Sequence, residues 1–479
     1  MAGGNQDGLR IGDRIEACDL IGFRIVLLAA SAVVFLASCD SSTSAPPPIP
    51  SVTVTPPNSR IDVGATVQLS ASASATGNDP ASMEVAWTTS NPAIATVDPS
   101  GLVTGEGTGE VLITASVGGG EGTANVTVVR VVRDASAGRF HSCGLTTDGS
   151  AVCWGRGDDG QLGDGSLQDQ VTPIRVEGGI RFRSISAGGA HSCGIAMDQR
   201  AYCWGRGSGG QLGGGDFEDQ LVPIEVSGGL FFEGLDSGVS HTCGLTLQGQ
   251  AFCWGAGLGG QLGHGSNDDS AFPVAVSTEL TFTSLSVGWL HTCGLTAGGR
   301  AYCWGAGFAG QLGNGALENV TTPQPVHGDL TFESVSAGGQ HTCAVTILGA
   351  AYCWGDEENG KLGAEVSVDQ AEPVLVSGGL TFSAISAGLI HTCGIANGST
   401  GYCWGYWRVV GVGAVADQRA PARLSSVQTF ASISAGDLHT CAVTRQDATL
   451  CWGEGGHGQL GNGSTDDEFT PLPILPPDD

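Results

Sequence analysis

The chain is short of basic residues, and this shortage excludes two classes of partner. Its 479 residues include 19 lysines and arginines against 47 aspartates and glutamates, for a formal net charge of −28, and Lys361 is the only lysine. Nucleic acids and anionic membranes bind proteins through basic patches that neutralise phosphates. The composition therefore argues against a nucleic-acid partner and against peripheral docking on anionic lipid. Solubility is its simpler consequence.

The sequence also lacks the patterns that mark common catalytic sites. It contains no phosphate-binding Gly-Lys-Ser/Thr loop and no recognisable acid–base pair. Glycine-rich runs such as Trp204–Gly213 do occur, but they recur in nearly every repeat. A motif repeated so often usually serves backbone geometry. We therefore predict a protein that is not an enzyme and that uses no metal or other cofactor.

Cysteine, in contrast, is abundant. Fourteen of the 16 cysteines form seven pairs with partners ten residues apart, and the pairs recur every fifty residues, or forty-eight for the last. Two strand-length apolar runs flank a three-residue loop in each unit. Such a hairpin places the cysteines opposite each other, at about 4.5–5.5 Å, which a disulfide can span. We predict seven disulfides, each within one hairpin: Cys143–Cys153, Cys193–Cys203, Cys243–Cys253, Cys293–Cys303, Cys343–Cys353, Cys393–Cys403 and Cys441–Cys451.

The repeat has the size of a propeller blade. A unit of fifty residues with about four strands fits this architecture, and seven such blades close into a ring. The first unit lacks a proline that stands eighteen residues before the histidine of the other six, whereas the C-terminal segment Pro471–Ile474 has the matching sequence. We therefore expect the C-terminal strand to complete the first blade and to remove its exposed edge.

Two polar positions recur with the blades. A histidine stands two residues before each first cysteine, but nine residues between paired cysteines do not suit zinc, so we expect hydrogen bonds within or between blades. The histidines are His141, His191, His241, His291, His341, His391 and His439. An acidic or amide residue stands four residues before each proline, where a turn role is favoured and calcium is the alternative. These residues are Asp169, Asp219, Asp269, Asn319, Asp369, Asp417 and Asp467.

The repeated runs Ser-Ala-Gly-x-x-His-Thr-Cys, Tyr-Cys-Trp-Gly and Gly-Gln-Leu-Gly resemble the repeat of the regulator of chromosome condensation family. Seven copies cover residues 131–479. The resemblance implies a seven-bladed β-propeller and says little about function. The family name implies guanine-nucleotide exchange on a small GTPase as one alternative. A bacterial β-lactamase-inhibiting protein with the same propeller implies inhibition of a secreted enzyme as another.

The N-terminal segment resembles a bacterial lipoprotein signal. The apolar run Ile25–Leu36 is too short to span a bilayer and ends in Leu36-Ala-Ser-Cys39, which resembles a lipobox. We predict a signal peptide over residues 1–38, lipid attachment at Cys39 and a disordered tether over residues 39–50. The acidic stretch before Arg24 suggests that translation starts further along the chain. Export would also allow the disulfides to persist.

Residues 51–130 contain short alternating strands that predict a small β-sandwich. The run from Trp87 to Asp98, followed by Gly101–Gly105, resembles the bacterial group 2 immunoglobulin-like domain, with Trp87 as its core tryptophan. The resemblance implies a spacer or adhesive module. The expected fold is thus all-β: an immunoglobulin-like sandwich followed by a seven-bladed propeller.

Candidate binding residues lie where the repeats differ most, in the two positions before each histidine. The stretch Gly288–Thr292 is similar to repeats of the plant ultraviolet-B receptor, in which this register faces a partner, although Leu290 replaces the arginine usual there. The hypothesis is a binding face; the alternative is packing between blades. The candidate residues are Arg139, Phe140, Trp289, Leu290, Gln340, Leu389, Ile390, Asp437 and Leu438.

The sixth unit breaks the repeat at Tyr406, Trp407 and Arg408, which are residue types favoured at interfaces. Decay of one redundant blade is the alternative. We expect a monomeric, lipid-anchored binding or scaffold protein of the bacterial cell envelope. Its propeller would present a face to a protein or glycan partner, and the lipid anchor would be its one membrane contact.

Overall fold

The computed structural model describes residues 49–74 and 84–477, and it is all-β except for a 3₁₀ turn at Glu358–Gly360. The predicted signal peptide, the lipidation site Cys39 and most of the tether lie outside the described residues. No helix within the described ranges is long and apolar enough to cross a membrane.

The N-terminal part is a small sandwich of nine strands. Strands β2, β9, β8 and β5 form one sheet, β3, β7 and β6 a second, and β1 pairs with β4. Every second residue of β8 from Val111 to Val117 is buried, as a strand with one core face requires. Trp87 packs against this core but stays partly exposed. The bounds of β1–β9 are Ser51–Thr55, Asn58–Asp62, Thr66–Gln68, Ser70–Ser74, Ala86–Thr89, Ala95–Val97, Leu102–Gly105, Gly109–Val117 and Gly120–Val129.

Residues 132–473 form seven four-stranded sheets, the blades, each built from consecutive antiparallel strands. We number their strands β10–β37 in chain order. The bounds are, for blade 1, Val132–Ala137, His141–Thr146, Ala151–Gly155 and Gln170–Arg175; for blade 2, Phe182–Ala187, His191–Ala196, Ala201–Gly205 and Gln220–Glu225; for blade 3, Phe232–Ser237, His241–Thr246, Ala251–Gly255 and Ser270–Ala275; for blade 4, Phe282–Val287, His291–Thr296, Ala301–Gly305 and Val320–Pro325; for blade 5, Phe332–Ala337, His341–Thr346, Ala351–Gly355 and Gln370–Leu375; for blade 6, Phe382–Ala387, His391–Ala396, Thr400–Gly405 and Gln418–Arg423; for blade 7, Phe430–Ala435, His439–Thr444, Thr449–Gly453 and Glu468–Pro473.

The expectation that the C-terminal strand completes the first blade is wrong. Strand β37 pairs with β36 inside blade 7, and blade 1 already has its own fourth strand, which carries Pro173. The reason is local: each proline strand folds back onto the Trp-Gly strand that precedes it in the chain. The ring instead closes through side-by-side contact of the first and last blades, where the N–H of Ala137 donates to the Ser434 hydroxyl at 3.0 Å.

The hairpins and their disulfides are as predicted. All seven cysteine pairs are bonded within one hairpin, with Cα–Cα distances of 4.0–4.2 Å. In blade 1 the loop spans three residues and ends at Gly149, whose φ is 78°. Gln199 and Asp447 keep a positive φ at the same register in blades 2 and 7, so the left-handed conformation belongs to the loop and not to glycine alone.

The histidines join neighbouring blades, which confirms the expected hydrogen-bonding role. Each Nε2 lies 2.7–2.9 Å from a serine or threonine hydroxyl of the next blade, and His439 to Ser142 completes the circle. The rings are fully buried. Burial disfavours the charged imidazolium and lowers the pKa of His191 and His291 to about 3. The seams between blades therefore hold neutral histidines.

A buried tryptophan forms a second contact at each seam. Trp204 donates its indole N–H to the carbonyl of Gln161 in the preceding blade at 3.0 Å, and Trp404 donates to Lys361 at 2.9 Å. Blade 6 departs from this pattern because its loop is shorter and brings Val409 to this register. The indole N–H of Trp452 consequently has no hydrogen-bond acceptor within the described residues.

Candidate binding face at the channel mouth

Both sets of predicted binding residues lie on one face of the ring. In each blade the loop after the first strand and the loop after the third strand emerge on the same side; in blade 1 these are residues 138–140 and 156–169. Backbone hydrogen bonds join the two loops, from Arg156 to the carbonyl of Phe140 at 2.9 Å and from Tyr406 to that of Ile390 at 3.1 Å. We call this side the mouth face.

The first strands line a central channel. Six serines and Asp236 occupy equivalent positions, and each accepts the backbone N–H of the next blade at 2.8–3.0 Å. The channel encloses about 140 Å³. Pockets for drug-sized ligands usually measure about 300–1,000 Å³, so this channel suits a side chain or a small ion rather than an extended substrate. The serines are Ser136, Ser186, Ser286, Ser336, Ser386 and Ser434.

Three predicted residues, from blades 1, 4 and 7, meet at the mouth of this channel. The indole N–H of Trp289 in blade 4 donates to Oδ1 of Asp437 in blade 7 at 3.1 Å. Nε of Arg139 in blade 1 lies 3.5 Å from the other oxygen, Oδ2. The guanidinium also lies over the rings of Phe140 and Trp289, at 5.0 and 5.7 Å from their centroids. The side chain of Trp289 therefore reaches from blade 4 to blade 7 across the channel mouth.

Asp437 is the carboxylate of this group, and burial perturbs it. It is 8% exposed, and its Oδ2 accepts no hydrogen bond from any described residue. Burial raises the pKa of Asp437 to about 6, and the hydrogen bond from Trp289 and the charge of Arg139 offset this only in part. The carboxylate is thus ionised at neutral pH with one oxygen poorly compensated.

Comparisons with known proteins agree with this architecture. Residues 48–128 match the model of the bacterial Ig-like domain (group 2). Residues 148–195, 198–245, 248–295, 298–345 and 447–479 match the Regulator of chromosome condensation (RCC1) repeat, and a second model of this repeat matches 132–161, 182–211, 282–311, 332–361 and 430–459. The chain belongs to the RCC1 repeat family. A search of curated protein sequences finds no significant match.

Solved structures of RCC1-type rings are similar in fold. Human WBSCR16 superposes with a TM-score of 0.64 at 20% identity, over 68% of this chain and 94% of its own. Prp20p from Saccharomyces cerevisiae gives 0.61 at 22%, over 69% and 87%. Yeast RCC1 (Prp20) bound to Kap60 gives 0.60 at 21%, over 72% and 85%. The predicted all-β fold, a propeller after an immunoglobulin-like domain, is confirmed.

Exposed apolar residues in the mouth-face loops after the third strands were missed from the sequence: Leu167, Phe217, Leu258, Phe308, Leu317, Val368 and Val415. Leu258 is 81% exposed and Phe308 51%, and both lie in loops after a third strand. The loop that carries Phe308 contacts Leu290, because the backbone N–H of Ala306 donates to the Leu290 carbonyl at 2.8 Å, and Leu290 is itself 36% exposed. The sequence carried a signal for this position, because the residue at the register of Leu258 varies between repeats as freely as the two residues before each histidine do. It reads Asp158, Ser208, Leu258, Phe308 and Glu358 in blades 1–5.

The other predicted residues occupy the same face in less exposed positions. Gln340, Leu389, Ile390 and Leu438 are partly buried. Phe140 packs against His457 of blade 7, with ring centroids 5.4 Å apart. No described contact tests their role in binding, so that role stays a prediction.

The irregular segment of blade 6 packs against blade 7. Trp407 lies against Phe469 with ring centroids 5.7 Å apart, and Tyr406 is next to it at 6.3 Å. The Arg408 guanidinium lies over Trp407 at 5.6 Å and approaches Asp467 at 3.8 Å. The three predicted residues are therefore ordered together on the mouth face.

Acidic residues occupy the same mouth-face loops as the exposed apolar residues. The recurring aspartates predicted for turns use Oδ1 to accept a backbone N–H from the start of their own loop, as Asp169 does from Gly157 at 2.9 Å. Among the described residues, no three His, Cys, Asp or Glu side chains converge as metal ligands would. Other exposed acids of these loops form what we call the acidic collar: Asp158, Asp216, Glu218, Asp268, Glu318, Glu358, Glu365 and Asp466.

Proposed function

We propose that this protein is a non-catalytic, monomeric binding protein of the bacterial cell envelope, lipid-anchored through Cys39, whose mouth face holds a protein partner. Seven disulfides support an oxidising compartment, where thiol pairs persist. The match to a bacterial immunoglobulin-like domain supports the same location. In this proposal residues 39–50 are a tether, 51–130 a spacer and 131–479 the binding ring.

The observation that carries the proposal is the exposed apolar sector of blades 3 and 4. Leu258, Leu290 and Phe308 leave between a third and four fifths of their surface in water beside the half-buried Trp289. Exposed apolar side chains grouped inside a polar rim mark interaction sites. Tryptophan and arginine, which meet here at the mouth, are the residue types that most often dominate binding energy.

A protein partner fits this face better than a glycan does. The channel volume of about 140 Å³ leaves the open apolar surface, and not a deep pocket, as the main contact area. Similar solved rings contact proteins as well: yeast RCC1 (Prp20) binds Kap60, and binding to Gsp1p and histones is described for Prp20p. Nucleotide exchange or enzyme inhibition would both be downstream consequences of such a protein contact.

Site-specific photocrosslinking tests the proposal. A benzoyl-phenylalanine is placed at Leu258 or Phe308 in the full chain and irradiated in the native host. The matched control is Leu348, which is 84% exposed but lies in a hairpin loop on the opposite face. We expect a defined protein adduct from the two mouth-face positions and none from Leu348. Adducts of equal yield from all three positions, or from Leu348 alone, would refute the assignment of the face.

A further inference from the structure

Burial of the Asp437 carboxylate costs the folded state free energy that a purely structural residue would avoid. A buried carboxylate is usually compensated by hydrogen bonds at both oxygens, because leaving one unpaired costs free energy. Asp437 is 8% exposed and receives a single hydrogen bond, from Trp289 at 3.1 Å, while Oδ2 receives none from the described residues. A perturbed, half-compensated carboxylate at the opening of a channel is typical of a binding site.

Arg139 compensates this charge only loosely. Its Nε is 3.5 Å from Oδ2, beyond good hydrogen-bond distance, and 43% of its side chain is exposed. Among the residues that line the channel it is the one cation, against the carboxylates of Asp236 and Asp437. Its guanidinium rests over Phe140 and Trp289. Arg139 is thus an internal cation that contacts two aromatic rings. It lies near the Asp437 carboxylate without donating a hydrogen bond to it.

Size and chemistry favour an ammonium group as the external ligand. The channel volume of about 140 Å³ is close to five times the roughly 30 Å³ that a water molecule occupies in the liquid, so the end of an alkyl chain fits. An ammonium group is compact, carries three donors on a flexible stem and is attracted to aromatic faces. It can donate a hydrogen bond to Oδ2 of Asp437, whereas Nε of Arg139 stays 3.5 Å away.

We propose that the channel mouth binds the ammonium group of a lysine side chain presented by a protein partner, with Asp437 as the counter-ion and Trp289 and Phe140 beside the alkyl stem. The acidic collar on the same face complements a basic surface around that lysine. This inference rests on the proposed protein-binding function and specifies the partner's chemistry.

The test uses the full chain and a short peptide with one lysine between alanines, both ends blocked. Binding is read from the indole N–H signal of Trp289 in ¹⁵N-resolved NMR at pH 7.5, because this proton donates to Asp437. Matched peptides carry norleucine or arginine in place of lysine, and free butylamine represents a small amine. Asp437→Asn keeps an acceptor for Trp289, and Glu279→Gln removes an exposed charge from a loop on the opposite face.

We expect the lysine peptide to shift the Trp289 signal saturably, and the norleucine peptide to leave it unchanged. Asp437→Asn should weaken binding at least tenfold, whereas Glu279→Gln should not change it. Arg139→Gln removes the competing internal cation, so it should tighten binding severalfold; a merely structural role for Arg139 would give no gain.

Three outcomes would overturn the inference: equal binding of the norleucine peptide, unchanged affinity in Asp437→Asn, or weaker binding in Arg139→Gln. Butylamine that binds as tightly as the peptide would assign the site to free amines and overturn the protein source. Tighter binding of the arginine peptide than of the lysine peptide would overturn the choice of ammonium. The crosslinking test examines the apolar sector independently of the channel mouth. Adducts at Leu258 would therefore still support the protein-binding face if the lysine site were refuted.

Discussion

Replacing Asp437 by asparagine should stabilise the ring at neutral and alkaline pH. The pKa of Asp437 is about 6 in the folded protein, whereas the ordinary pKa of an aspartate is 3.8. Each unit between these two values corresponds to about 1.36 kcal/mol, so the ionised carboxylate costs the fold about 3 kcal/mol at pH 8. Asparagine resembles the protonated acid, because it is neutral and still accepts the Trp289 hydrogen bond.

The sign of the pH dependence follows from proton binding. Between pH 4 and 6 the folded protein retains the Asp437 proton while the unfolded chain loses it, so stability falls as pH rises through this window. The gain from Asp437→Asn should therefore be about 3 kcal/mol at pH 8 and about half of that at pH 5. Taking the difference between variant and wild type cancels the other titrating groups. The charged group that faces Asp437 is Arg139, and it is unchanged.

Urea unfolding with disulfides intact measures this difference. Tryptophan fluorescence reports the ring, because seven indoles are fully buried in the blades. Glu279→Gln, which removes one exposed charge on the opposite face, should leave the midpoint unchanged at both pH values. An Asp437→Asn protein that is less stable than wild type at pH 8, or a gain of equal size at pH 5 and pH 8, would refute the account of the mouth.

Three further predictions concern the seams and the anchor. Trp404→Phe should lower the free energy of unfolding in urea by about 1–3 kcal/mol more than Trp452→Phe does, because the Trp404 indole N–H donates to the backbone carbonyl of Lys361 and the Trp452 N–H has no described acceptor. Equal losses in the two variants would contradict this interpretation. The pKa values of the seam histidines His191 and His291 are about 3 in the folded protein against an ordinary 6.5, so stability should fall as pH falls below 6.5, by about 1.4 kcal/mol per pH unit for each ring. Proton uptake on unfolding measures this, and assigned NMR signals of the seam histidines that titrate near pH 6.5 in the folded state would contradict it. Cys39→Ser should abolish incorporation of an alkyne-labelled fatty acid in the native host, while label retained by the variant would remove the anchor from the proposal.

Local pairing explains how much of the fold could be predicted from the sequence. The two cysteines of a hairpin are ten residues apart, and a three-residue loop leaves only one register in which their strands can pair. The blade architecture follows from the period of the repeat, because each unit must bury its apolar face against the next. The failed expectation about the C-terminal strand had a local cause too. The proline strand pairs with the Trp-Gly strand just before it in the chain, so it belongs to the blade that precedes it and not to the one that follows.

The mouth of the channel could be predicted only in part. Variation between repeats identified Trp289 and Asp437 separately, but 148 residues separate them, and only closure of the ring brings blade 4 opposite blade 7. The exposure of Leu258 and Phe308 likewise depends on how each loop lies over the following blade. The pKa of Asp437 has the same origin, because desolvation depends on the neighbours that the ring supplies and not on the residues adjacent in the chain.

The amino-acid sequence alone thus determined the strands, the hairpin disulfides and the number of repeats, since these depend on contacts within about fifty residues. The tertiary structure decided how the ring closes and which unlike side chains meet across its centre. The physical reason is that a repeat encodes the same contacts in every blade, whereas a site at the axis combines one residue from each of several blades.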